Sequence, residues 1–232
     1  MSDPTLDEIK QLLSLSKGYL LQQEELFGVD LPFFANNEEP SESLKLKTEQ
    51  LKNFYMEIKG CMKCALGSTR NNFVFGDGNP DADIMVIGEA PGADEDETGH
   101  PFVGRAGQLL TAILKAVNFQ RKDVFICNIL KCRPPQNRKP LPDEVAKCSP
   151  YLHRQIEIIQ PKIILALGAT AANTLLENQS ALGDMRGKVH QYRGVPLIVT
   201  FHPAALLRNP NWKAHTWQDI QTVRKMYDEL NN

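Results

Sequence analysis

Apolar and polar positions follow a helical period in two stretches of the first 60 residues of this 232-residue chain, then switch at residue 82 to short apolar runs alternating with helices. Residues 5–26 place Ile9, Leu12, Leu13, Leu15, Leu20 and Leu21 at helical spacing, which predicts one amphipathic helix. Residues 28–46 are rich in polar and turn residues and read as a linker, with Leu31, Phe33 and Phe34 available to dock on a surface. Residues 47–59 predict a second helix leading into Cys61. No internal repeat is visible. The segment ADIMVIGE, from Ala82 to Glu89, is a short apolar run of the kind that forms a buried parallel strand. Residues 105–118 follow as a helix with Leu109, Leu110, Ile113, Leu114 and Val117 on one face. DVFICNIL (123–130), KIILALG (162–168) and VPLIVTFHP (195–203) are three further strands. Between them lie helices at 142–159, opened by Pro142, Asp143 and Glu144, and at 169–177; a closing helix spans 215–230.

Strands alternating with helices predict a three-layer α/β domain around a parallel sheet. In such sheets ligands bind beyond the carboxyl ends of the strands. Gly88-Glu89, Asn128 and His202 each stand at such an end, so the topology alone predicts that they converge on one site.

Composition narrows the class. Hydrophobic content is 42%, which fits a packed globular chain. No run approaches the roughly 18 apolar residues of a membrane span, and the acidic N-terminus lacks the basic opening of a signal peptide. The net charge of −2 is unevenly spread: residues 1–60 hold 11 acids against 6 bases, whereas residues 61–232 carry a balance of +3. Arg133, Arg138 and Lys139 share one loop, and Arg186, Lys188 and Arg193 another; such clusters track phosphates or are ordinary solvated surface.

Five cysteines, an odd number with four at ligand-like spacing, favour a metal centre in a reducing cytoplasm over a disulfide scaffold. Cys61 and Cys64 form C-x2-C; Cys132 follows after 67 residues and Cys148 after 15 more. Four thiols complete the ligand set of one tetrahedral zinc or one iron–sulfur cluster, and the wide second pair fits zinc less well. Cys127, inside a strand, reads as a buried structural thiol. GEAPG lacks both G-x-G-x-x-G and the lysine of a phosphate loop, so it is not read as a nucleotide site. Instead Gly88, Pro91 and Gly92 fix a tight turn beside Glu89, a carboxylate able to orient a water or balance positive charge. The acids Asp94 to Glu97 read as a solvated face. Phe102 is either core or a stacking platform, and Leu206-Leu207-Arg208 is either a wedge with a phosphate clamp or the first turn of a helix.

GEAPGADEDETGHPFVGRAGQLL, NILKCRPPQNRKPLPDE, LALGATAA and FHPAALLRNP resemble the family 4 uracil-DNA glycosylases, the iron–sulfur type, over residues 61–230. The resemblance implies a three-layer α/β/α sandwich with a central four-stranded parallel sheet. It implies a 4Fe-4S cluster on Cys61, Cys64, Cys132 and Cys148. It also implies hydrolysis of the N-glycosidic bond of uracil flipped out of DNA, releasing the base and leaving an abasic site. By position, Glu89, with Gly88 and Ala90, lines the pocket and helps place the attacking water. Phe102 stacks on the base, Asn128 reads its Watson–Crick edge, and His202 donates to its O2. Leu206, Leu207 and Arg208 enter the DNA. A related group that traps the sugar with a histidine in a basic loop is disfavoured, because residues 133–147 contain no histidine. A non-catalytic DNA-binding module is disfavoured by the intact set Glu89, Asn128 and His202. Residues 1–46 form an N-terminal helix and acidic linker outside the glycosylase domain of 47–232, and their charge suits a protein partner better than DNA. The expected state is a monomer in the cytoplasm, without a membrane.

Overall fold

The computed structural model describes residues 41–231; the helix expected over 5–26 and the linker up to residue 40 lie outside them. The first helix, α1 (Glu42–Ile58), starts inside the stretch read as linker, five residues before the expected onset. Lys47 explains the early start: its ammonium bonds the Asp81 carboxylate at 2.6 Å and the Ile159 carbonyl at 2.8 Å, fastening this turn to the domain. No helix among the described residues is long and apolar enough to cross a membrane.

The strands are β1 (Asp77–Gly78), β2 (Ile84–Gly88), β3 (Phe125–Asn128), β4 (Ile163–Leu167), β5 (Val189–Tyr192) and β6 (Val195–Thr200), in sheet order β1-β3-β2-β4-β6-β5. The four central strands are parallel, as expected. Two short antiparallel strands, β1 and β5, cap the edges and were not predicted. Their signal is weak for good reason. β1 has two residues, one of them glycine, and β5 shows three of its four residues at least partly to solvent. Short edge strands of this kind leave little unpaired backbone for another chain to join.

Side chains alternate across each central strand and so build two cores. On one face Ile84, Val86, Ile126, Ile163, Leu165 and Ile198 meet Leu110 and Leu114 of α3 (Arg105–Lys115) and Ile220 and Val223 of α8 (Lys213–Asn231). On the other, Met85, Ile87, Cys127, Ile164, Ala166 and Val199 meet Leu152, Ile156 and Ile159 of α4 (Pro142–Ile159) and Ala171, Ala172 and Leu175 of α5 (Ala169–Leu176). Each fully buried aliphatic side chain contributes about 1.5–3 kcal/mol. Helix α4 begins where the sequence placed it: Pro142 occupies the first turn and the Glu144 carboxylate accepts the Leu141 N–H at 2.8 Å. Gln160 in the left-handed region, followed by Pro161, ends it.

Three short helices complete the chain: α2 (Ala93–Thr98), α6 (Leu182–Met185) and α7 (Pro203–Arg208). α2 corrects the reading of Asp94–Glu97 as a solvated face. Asp96 is buried, accepting the backbone N–H groups of Asn71 and Asn72, and Glu95 bridges two loops. Of the basic group Arg186, Lys188 and Arg193, only Arg186 is drawn into the fold, while the other two stay exposed. Arg186 grips the buried Asp219 carboxylate, Lys188 donates to the Asp184 carbonyl, and Arg193 lies over Tyr192.

Asp219 also accepts the Thr200 hydroxyl at 2.8 Å, tying α8 to the end of β6. Asp219→Ala leaves the Arg186 charge partly buried and unpaired, a loss of about 3 kcal/mol. The thermal midpoint is expected to fall by on the order of 10 °C in calorimetry; an unchanged midpoint contradicts this role.

Candidate active site

β2 and β3 end in step, with Gly88 opposite Asn128. Their pairing continues one step beyond the strands, through Ile129 N–H to Gly88 O at 2.9 Å and Leu130 N–H to Glu89 O at 3.1 Å. β4 and β6 also end together, and Gly168 N–H donates to Thr200 O at 2.8 Å. Gly168 has φ +90°, and a Cβ there would sit 3.2 Å from the His202 Cβ, so glycine satisfies both the backbone and the space. The four strand ends thus bring Glu89, Ala90, Asn128 and His202 around one cavity of about 440 Å³, closed further by Phe102, Glu95, Asn137, Arg138, Lys139 and Arg208. Gly88, expected to line the pocket, is not among its lining residues; it sits behind them, where a side chain would meet Asn128 Oδ1 at 2.4 Å and Phe102 Cζ at 2.5 Å.

Asn128 is buried, and its Oδ1 has no hydrogen-bond partner. An unpartnered acceptor inside a cavity costs free energy unless a ligand supplies the donor. Phe102 takes the left-handed conformation at φ +53°, a strained choice for an aromatic residue. The surroundings enforce it. Arg121 donates to the carbonyls of Phe102 (3.1 Å) and Pro101 (2.9 Å), and side-chain-free Gly107 lets α3 press against the Phe102 carbonyl. Glu95 joins this loop to the GEAPG turn: one oxygen accepts Val103 and Gly104 N–H, the other Gly92 N–H. Sequence reasoning missed Glu95 and Asn137. The capping pattern of Gly92 and Glu95 was a readable signal for the first; nothing local marks the second, which lies in a left-handed turn with Gln136.

His202 caps α7, and its Nδ1 accepts the Ala204 N–H at 3.2 Å. The ring therefore carries its proton on Nε2 when neutral. It is neutral: burial, aided by the Arg208 charge, lowers its pKa to about 4. Phe102 lies beside it, ring centres 5.5 Å apart. The next residues correct one expectation. Leu206 is 1% exposed and anchors α7 in the core, whereas Leu207 at 40% and Arg208 reach solvent; neighbours on a helix point apart. Arg138 is held by Glu144 in a two-pronged ion pair though its side chain stays 38% exposed, Arg133 donates to Asn137 Oδ1, and Lys139 is exposed without such a hold.

Cys61 and Cys64 follow α1, Cys132 follows β3, and Cys148 lies inside α4. Burial raises the thiol pKa of Cys132, and that of Cys148 to about 11. Cys132 feels Cys64 and Cys61, and Cys148 feels Cys132 and Cys61, so the four thiols share one neighbourhood. Donors converge on them: Arg70 Nη1 on Cys132 at 3.3 Å, the Tyr151 hydroxyl on Cys61 at 3.1 Å, and the Lys131 N–H on Cys148 at 3.4 Å. Among the described residues no three His, Cys, Asp or Glu side chains form a ready set for a single metal ion. Cys127 is fully buried in β3, as expected.

A family model of the uracil DNA glycosylase superfamily matches residues 75–221. The chain belongs to that superfamily. A type-4 uracil-DNA glycosylase of Sulfurisphaera tokodaii is 46% identical over 77% of this chain and 85% of its own length. One of Pyrobaculum aerophilum is 47% identical over 73% and 91%, and one of Thermotoga maritima 49% identical over 66% and 80%. The described residues carry the α/β fold expected from that resemblance, with two antiparallel edge strands added to the four-stranded parallel centre.

The neutral His202 has a direct test. Between its ordinary value near 6.5 and about 4, the folded chain binds fewer protons than the unfolded one, so this residue lowers stability as pH falls through that window. By NMR its ring is expected to stay uncharged from about pH 8 down to 5. A titration midpoint near 6.5 contradicts the assignment.

Proposed function

We propose that this chain excises uracil from DNA by hydrolysing the bond between the base and its sugar, leaving an abasic site. The observation that carries the reading is the orphaned Asn128 Oδ1 beside a neutral, proton-bearing His202 Nε2 in one cavity. The target bond is stacked within DNA, so the nucleotide must be flipped out at a cost of a few kcal/mol. Leu207 fills part of the gap and Arg208 holds a phosphate, while Leu206 anchors both from below. The base enters against the Phe102 ring. Asn128 Oδ1 accepts the uracil N3–H and its amide N–H donates to O4; cytosine offers the reverse pattern and leaves both groups unpaired.

Bond breaking moves an electron pair onto the base and leaves positive charge on the sugar. The His202 Nε2–H donates to the uracil O2 as negative charge gathers there, a bond stronger in the transition state than before it. A neutral donor suits this role because the proton stays on His202. Glu89 orients a water toward the sugar carbon, takes its proton, and offsets the developing positive charge. Lys139, with the exposed Arg208, lines the approach for phosphates.

Cys61, Cys64, Cys132 and Cys148 hold a 4Fe-4S cluster in this reading. A thiol neighbourhood with Cys132 and Cys148 buried and Cys61 and Cys64 partly exposed, ringed by Arg70, Tyr151 and a backbone donor, fits thiolate ligands, whose charge such donors stabilise. Ligation by these four residues would fasten the segment after α1, helix α4 and the loop after β3 to one another. The substrate is uracil-containing DNA, single- or double-stranded. The chain acts as a cytoplasmic monomer, and its acidic N-terminal segment serves a protein partner, on grounds of charge alone.

In the test, an oligonucleotide with one uracil opposite guanine is incubated with protein and then cleaved by alkali. Wild type is expected to yield the cleaved product. His202→Ala is expected to slow excision by roughly 100-fold or more while DNA affinity changes little. Equal losses in rate and affinity contradict a transition-state role.

A further inference from the structure

Among the described residues Lys131 is the only basic side chain in the core, with no exposed surface. Its ammonium donates to the Asn128 carbonyl at 2.8 Å and to Gln155 Oε1 at 2.6 Å. Gln155 is equally buried, and its amide N–H is committed to the Phe75 carbonyl at 3.0 Å, so its oxygen is turned toward Lys131. Neither partner is a carboxylate. The other buried acids have partners of their own: Asp96 takes backbone N–H groups, Glu144 takes Arg138, and Asp219 takes Arg186. An ammonium buried among neutral acceptors is disfavoured unless a counter-charge lies near. Thiols are among the groups that feel its charge: Lys131 offsets part of the burial effect on both Cys127 and Cys148. Its own N–H points at Cys148 Sγ, and Cys132 is the next residue.

We propose that Lys131 is a positioning residue that couples the cysteine centre to the base-reading amide. Thiolates carrying the 4Fe-4S cluster supply the counter-charge that keeps the ammonium in the core. The ammonium in turn fixes the carbonyl of Asn128 and so the end of β3, from which the Asn128 side chain enters the cavity. This rests on the cysteines being cluster ligands, and it gives the cluster a link to the pocket through one side chain.

The test compares iron-loaded wild type with Lys131→Met, close in shape but uncharged, and with Gln155→Glu, which keeps an acceptor for Lys131 and cancels its charge while giving up the bond to the Phe75 carbonyl. Iron content, the cluster's reduction midpoint by spectroelectrochemistry, affinity for abasic-site DNA and single-turnover uracil excision are measured on each. Removing positive charge beside a cluster disfavours adding an electron, so both variants are expected to shift the midpoint to lower potential. Excision is expected to fall by roughly tenfold in Lys131→Met at little-changed DNA affinity, and by less in Gln155→Glu, which keeps the bond that fixes Lys131. A midpoint unchanged in both, or excision by Lys131→Met equal to wild type, overturns the proposal. If Lys131→Met does not fold, Gln155→Glu decides alone: a lowered midpoint supports the coupling and an unchanged one overturns it. Wild type that purifies without iron removes the cluster reading itself, a failure visible before any variant is compared.

Discussion

The register of the central strands governs everything that happens at the cavity. β2 and β3 terminate opposite one another at Gly88 and Asn128, and β4 and β6 terminate together at Leu167 and Thr200. Parallel strands ending in step deliver their next residues to a common rim. One residue of slip in β3 would turn Asn128 to the opposite face of the sheet and Cys127 toward the other core. The apolar alternation on both faces forbids that slip, so packing energy spread over two cores holds a polar amide where it has no partner of its own.

Several polar groups carry this constraint outward from the sheet. Glu95 joins the turn after β2 to the loop bearing Phe102, and Arg121 fixes that loop's carbonyls from behind. Asp219 ties the end of β6, two residues before His202, to α8 and Arg186. Strain at Phe102 persists because backbone hydrogen bonds on both sides determine its conformation, which is how an unfavourable dihedral survives in a folded chain. The site is therefore preorganised: its donors and acceptors are held before a ligand arrives.

Much of this was legible in the sequence. The four central strands, α4 and α5 announced themselves because their apolar runs and caps are local and strong. The convergence of Glu89, Asn128 and His202 followed from topology without any contact being known. What escaped were features decided at long range. The edge strands β1 and β5 are too short or too exposed to show a period. The acids of α2 looked solvated because sequence does not reveal that Asn71 and Asn72 lie over Asp96. Arg186 looked free because Asp219 is 33 residues away. Leu206 and Leu207 look alike in sequence, and only the docking of α7 separates the buried one from the exposed one.

The central claim is that a base is read by the amide at the end of β3. The most direct test is single-turnover excision on oligonucleotides carrying uracil or cytosine opposite guanine, by wild type and Asn128→Ala. The account predicts that wild type releases uracil and spares cytosine, and that the substitution abolishes most uracil release while the fold and DNA affinity are retained. Uracil release that survives Asn128→Ala undiminished would contradict it.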